Sequence, residues 1–255
     1  MSVIRHCFTA SFFMLFLTTP LYAHKTVWVL IHGTFAKNAH WYRKGGDFHQ
    51  ALARAAGPES EVRSLSWSGE NSFEAREKAA ERLTQKIIQR YSPNDEINIL
   101  GHSHGGNIAI LVSQKLARQT PHYTIHQLIT LAPPVELSMY SPNMNHIKSF
   151  YNFFSYGDMV QTVCLFFGRV FPNHPRVWNI QLMHDGRCPE HGNVHPKELA
   201  FTLPHLHKLV SQNNTPVLHL FSNKKPVVKE DERREQELQQ DRRTMERLLV
   251  SIHYS

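Results

Sequence analysis

Residues 97–106, Ile-Asn-Ile-Leu-Gly-His-Ser-His-Gly-Gly, require a strand to turn directly into a helix. The segment 97–100 has the apolar character of a buried strand, and 107–118 has the periodicity of the helix that follows. Between them a G-x-S-x-G turn presses strand and helix together. Gly101 and Gly105, two positions before and after Ser103, therefore have no room for side chains. Ser103 stands at the top of the turn and at the N-terminus of the new helix, whose dipole favours developing negative charge. A chain built around such a turn needs a sheet to hold the strand and a helical layer to cover it.

The rest of the sequence supplies both. Val27-Trp28-Val29-Leu30-Ile31 is apolar at successive positions, as in a strand covered on both faces, and it ends in His32-Gly33-Thr34. Further strands are predicted over 61–67, 123–131, 148–156 and 177–183. Over 71–90 the apolar residues Phe73, Ala80, Leu83 and Ile87 share one helical face, and Asn71 with Glu74 has capping-box spacing. A last helix is predicted over 197–210, with Pro196 at its first turn and Pro204 as a kink. Strands alternating with helices predict an α/β fold with a mainly parallel sheet of about six strands and helices on both faces.

The composition agrees with a packed core, since 41% of residues are hydrophobic and 19% charged. Arg5 and His6, the apolar run 8–17, and Leu21-Tyr22-Ala23 have the order of a secretory signal peptide over residues 1–23, which predicts export to the periplasm or medium. The folded body is then expected over 24–222 and a charged tail, helical or disordered, over 223–255. Within that tail, residues 224–247 hold eight basic and seven acidic residues. The net charge of +7 is spread along the chain, with no basic stripe carrying interleaved aromatics. Nucleic acid is therefore not expected as a partner, while contact with an anionic membrane surface is allowed. The sequence names no protein partner for the tail.

At Val29-Leu30-Ile31-His32-Gly33-Thr34, at 101–106 and at the apolar strand ending in Ala132-Pro133-Pro134, the chain resembles the α/β-hydrolase superfamily, in particular its lipase and esterase branch. The resemblance covers roughly 24–210 and implies a trimmed form of the fold, because the first strand starts too early to be preceded by two others. It implies a Ser, acid, His triad in that chain order, with Ser103 as nucleophile. It also implies an oxyanion hole formed by the backbone N–H of His104 and of Thr34 or Phe35.

Six aspartates are present. Asp47 and Asp95 precede the serine, while Asp231 and Asp241 lie in the tail. Asp158 and Asp185 remain as candidate acids, and Asp158 in Tyr156-Gly157-Asp158-Met159-Val160 has the look of the family's acid turn. The loop after the last predicted strand offers His184, His191 and His195. His191, followed by Gly192 and five residues ahead of Pro196, fits the family pattern best, with His195 as the alternative catalytic histidine.

The expected substrate is a small-molecule or lipid carboxylic ester, and no cofactor is implied. An amidase or thioesterase with the same triad, or a non-catalytic binding protein of the same fold, are the alternatives. A metal site made of His184, Asp185, His191 and His195 is a minority reading, because their spacing is not that of a helical ligand pair. Cys164 and Cys188 are a candidate disulfide joining the acid and histidine loops. The apolar segment 163–171 is expected as a core helix or as an apolar lip beside the site.

Overall fold

A computed structural model describes residues 24–163, 168–210, 217–222 and 224–228. The chain order is β1 (Thr26–Ile31), α1 (Asp47–Ala56), β2 (Ser60–Leu65), α2 (Phe73–Arg90), β3 (Glu96–His102), α3 (His104–Gln119), β4 (Ile125–Leu131), β5 (Ile147–Phe154), α4 (Met159–Val163), β6 (Val177–His184), α5 (Lys197–Thr202), α6 (Leu206–Val210), β7 (Val217–Phe221) and β8 (Lys224–Val228). The strands form one sheet in the order β2-β1-β3-β4-β5-β6-β7-β8. Neighbours from β2 through β7 run parallel, and β8 closes the edge antiparallel to β7.

The alternation of side chains along β1 explains its continuous apolar run. Val27, Val29 and Ile31 join one core with α2 and α3, while Trp28 and Leu30 join the other with α1, α5 and α6. On α2, Ala79, Ala80, Leu83 and Ile87 face the first core. On α5 and α6, Leu199, Ala200, Leu206 and Val210 face the second. Both faces of the sheet are thus covered, as the sequence predicts.

The six predicted strands are all present, and the structure adds two. Val217–Phe221 is too short a run to separate from loop by period alone, and β8 extends the sheet into the segment expected to be helical or disordered. The signal-peptide segment 1–23 and residues 229–255 of the tail lie outside the described residues. Helix α1 is also additional; its alanines give a weak apolar signal, yet Phe48, Ala51 and Leu52 are buried.

At α2 the N-cap is Ser72 rather than Asn71: Ser72 Oγ accepts from Ala75 N–H at 3.2 Å, while Asn71 Oδ1 accepts from Arg76 at 3.2 Å. Pro196 occupies the N-cap of α5 rather than its first turn. The predicted helix over 197–210 is broken at Pro204 into α5, a 3-10 turn at Leu203–His205 and α6, since proline lacks the N–H that the ladder needs.

Candidate active site

In this topology the carboxyl ends of β1, β3, β5 and β6 share one edge of the sheet, where the strand order around β1 reverses and α/β sheets open a crevice. Every residue singled out above for chemistry follows one of those four ends.

Ser103 links β3 to α3 with φ 53° and ψ −130°, a conformation non-glycine residues rarely adopt. Its N–H donates to Leu131 O of β4 at 2.8 Å, which ties the turn to the neighbouring strand. The glycine requirement at 101 is steric: a Cβ there would lie 2.1 Å from Gly105 O. Strand and helix can close on each other only without that atom.

Asp158 follows β5 and is fully buried. His191 follows β6 in a short 3-10 turn, His191–Asn193. His191 Nδ1 lies 2.7 Å from Asp158 Oδ2; since the carboxylate accepts, Nδ1 donates and Nε2 is left free. The two loops meet because Gly157 packs against the chain at 188–189, where a Cβ would fall 2.3 Å from Cys188 O. Ser155 Oγ reinforces the junction by donating to Pro189 O at 2.5 Å.

Ser103 and His191 line one cavity of about 70 Å³ together with His104, Ala132, Pro134, Val160, Gln161 and Gly168. Among the described residues no hydrogen bond joins Ser103 to His191. Such bonds are often long in ligand-free sites and tighten when substrate arrives.

Thr34, after β1, reaches this site through a 2.7 Å hydrogen bond between its Oγ1 and His104 Nδ1. Among the described residues nothing accepts from the backbone N–H of Thr34 or of His104, so both remain available. Phe35 does not, since its N–H donates to Gly69 O at 2.8 Å; of the two donors proposed for this loop, only Thr34 is free. Burial, with smaller contributions from the charges of Arg76 and His191, lowers the His104 pKa to about 4, so its imidazole is neutral.

The other candidates go elsewhere. His195 stacks on Trp41 at 4.5 Å and meets the edge of His102 at 5.1 Å; chiefly through burial its pKa falls to about 4. Asp185 accepts from Ser222 N–H at 3.0 Å and from the Ser222 hydroxyl, which fixes it at the β6–β7 edge. His184 lies 3.8 Å from Asp185 and 3.7 Å from Glu198. His184 and Asp185 thus pair with each other, His191 pairs with Asp158, and among the described residues no three of His, Cys, Asp and Glu are grouped to hold a metal ion. Cys188 is a free thiol with its Sγ 3.3 Å from Met183 Sδ, and Cys164 lies outside the described residues, as do 165–167 of the apolar segment. Beyond that gap no core helix resumes: Gly168 bridges to Val135, and Phe171 is buried against Phe150 at 4.7 Å.

Two residues at the site went unassigned in the sequence. His102, inside the G-x-S-x-G turn, is buried and donates from Nε2 to His191 O at 2.9 Å, so it holds the histidine loop by its backbone. Its only sequence signal is its place beside Ser103. Gln161, one turn after Asp158, carries no signal at all until α4 places it in the cavity wall.

The fold and this edge of the sheet define a serine hydrolase of the α/β-hydrolase class. The family described as Lipase (class 3) matches residues 14–167, more than half of the 255 residues, and the chain belongs to that family. The matched span contains Thr34, Ser103 and Asp158 and ends before His191.

Among solved structures, the chain is similar to a cutinase-like protein from Cryptococcus sp., at 12% identity and a TM-score of 0.39 over 70% of this chain and 90% of that one. It is similar to an α/β serine hydrolase without lid from Xanthomonas campestris, at 14% identity and a TM-score of 0.37 over 80% and 74%. A thioesterase from the prodiginine biosynthetic pathway in Streptomyces coelicolor is 14% identical, with a TM-score of 0.34 over 64% and 74%. No curated protein matches the chain.

Proposed function

We propose that the protein is an exported carboxylic ester hydrolase that works through Ser103, His191 and Asp158. The observation that carries this reading is the 2.7 Å bond from buried Asp158 to His191 Nδ1, at a cavity shared with a serine on a strained turn. His191 Nε2 takes the Ser103 proton as Ser103 Oγ attacks the acyl carbonyl. The N–H groups of Thr34 and His104, with the N-terminus of α3 behind them, receive the negative charge that forms on the carbonyl oxygen. His191 returns the proton to the departing alcohol. Water, activated by the same imidazole, then releases the acid and restores Ser103. Asp158 holds the imidazole in the tautomer this requires and stabilises its charged form.

An apolar acyl group suits the cavity, whose wall includes Ala132, Pro134 and Val160. Met159 and Val160, on the helix that follows Asp158, are 64% and 51% exposed and extend an apolar surface outward. Membership of a lipase family supports a lipid or long-chain ester in that position. Export rests on the order of charge, apolar run and small residues over 1–23. It predicts that the mature protein begins near His24, which N-terminal sequencing of the secreted form reads directly.

Hydrolysis of 4-nitrophenyl esters of increasing chain length tests the reaction. Asp158→Asn should lower kcat by about 10³- to 10⁴-fold, because the wrong imidazole tautomer is then favoured. Activity of Asp158→Asn within a few-fold of the wild type would remove Asp158 from the mechanism. A strict preference for acetyl esters would count against the lipid substrate.

A further inference from the structure

Gln161 is 6% exposed and stands on α4, three residues after Asp158. Its backbone N–H donates to Asp158 Oδ1 at 3.1 Å, and its side-chain Nε2 donates to Pro133 O at 2.8 Å. A carbonyl can only accept, so the amide is oriented without ambiguity: its nitrogen faces Pro133 and its oxygen faces away. That oxygen, Oε1, is buried, and no described residue donates to it. Gln161 is at the same time part of the cavity wall that includes Ser103, His104 and His191. A buried amide oxygen without a donor, on a residue of that wall, is an unmet acceptor.

We infer that Gln161 Oε1 selects substrates carrying a hydrogen-bond donor, a hydroxyl or an amide N–H, within a few bonds of the scissile carbonyl. The inference rests on the assignment of Ser103 as nucleophile and narrows its substrate class. Ala132, Pro134 and Val160 form apolar parts of the same wall, so an unsubstituted acyl chain fits there but leaves Oε1 unmet. A hydroxylated ester fills the same space and satisfies it. Discrimination of this kind is stronger than that between two chain lengths, because the poorer substrate buries a polar atom without a partner. The donor can sit on the acyl chain, as in a hydroxy acid ester, or on the alcohol, as in a partial ester of a polyol.

Two matched pairs separate these sources with the full-length protein. The first pair is 4-nitrophenyl butyrate and 4-nitrophenyl 3-hydroxybutyrate; the second is propyl butyrate and 2-hydroxypropyl butyrate. Each kcat/KM is divided by the spontaneous rate of the same ester. The hydroxylated member should be preferred by about 10- to 100-fold in at least one pair, and the pair that shows it identifies the side carrying the donor. Gln161→Met keeps the length of the side chain without its polar atoms and should bring that ratio towards one.

A wild-type ratio near one in both pairs, with both esters turned over, overturns the inference and leaves the hydrolase reading standing. An equal loss on both members of each pair in Gln161→Met, with the wild-type ratio kept, also overturns it. Turnover of none of the four esters together with no covalent adduct at Ser103 removes the hydrolase reading itself. The wild-type ratios decide the matter even if the variant does not fold.

Discussion

His104 ties the two halves of the proposed oxyanion site to each other. Its backbone N–H is one donor, and its side chain holds Thr34, whose N–H is the other, at 2.7 Å. Because His104 is neutral, this is a hydrogen bond between uncharged groups, and removing it leaves an imidazole nitrogen without its partner. Thr34→Val keeps the shape of the side chain and deletes the hydroxyl. The cost should be about 1–3 kcal/mol of transition-state stabilisation, roughly a 5- to 150-fold fall in kcat with KM little altered. An unchanged kcat would mean that Thr34 is not positioned through His104.

The residues legible in the sequence are those whose local chain conformation is itself unusual. Ser103 needs flanking glycines, and Asp158 needs Gly157 for close approach to the chain at 188–189. Gln161 and His102 act through contacts that only the assembled sheet creates, with Pro133 O from the β4 end and His191 O from the β6 loop. The choice between His191 and His195 also needed tertiary structure, since both lie in one loop and only the fold shows that Trp41 holds the ring of His195.

At the scale of elements, the strands were readable where burial on both faces makes the run apolar, continuously in β1 and with only Asn98 interrupting Ile97 to Leu100 in β3. Short or alanine-rich pieces were not: β7 has five residues, and the buried Phe48 and Leu52 of α1 stand among alanines that give little apolar signal. Helix α2 was legible because Leu83 and Ile87 recur on one face. Leu83 is 4% exposed in the core shared with β1 and α3, so Leu83→Ala should destabilise the fold by about 2–5 kcal/mol, read as a lower denaturant midpoint at an unchanged slope. A loss below about 0.5 kcal/mol would show that α2 does not pack on the sheet as described.

Across the whole molecule, the 18 histidines have divided roles. Among the described residues six, His32, His49, His102, His104, His126 and His195, have pKa values lowered chiefly by burial. Protonation of these six is therefore a cost to the fold, and an acidic compartment would not simply add their positive charges to the surface. For His104 and His195 the folded value is about 4, against 6.5 for a free imidazole side chain. Between those values the unfolded chain binds more protons, so stability is full above pH 6.5 and declines as pH falls towards 4. The urea midpoint should be lower at about pH 4.5 than at about pH 7.5, and an equal midpoint at both would contradict the burial of these rings.

The same edge of the sheet brings Ser103 and His191 to one cavity, with Asp158 buried behind His191, from three separate segments of chain. If those residues act together, Ser103 is activated in the folded protein and in no other state. The most direct measurement is treatment of the native protein with a fluorophosphonate, followed by mass spectrometry of its peptides. The expected result is one adduct, on Ser103, lost in His191→Ala and absent after denaturation. A native protein that takes up no reagent, or takes it up equally well without His191, would contradict the account.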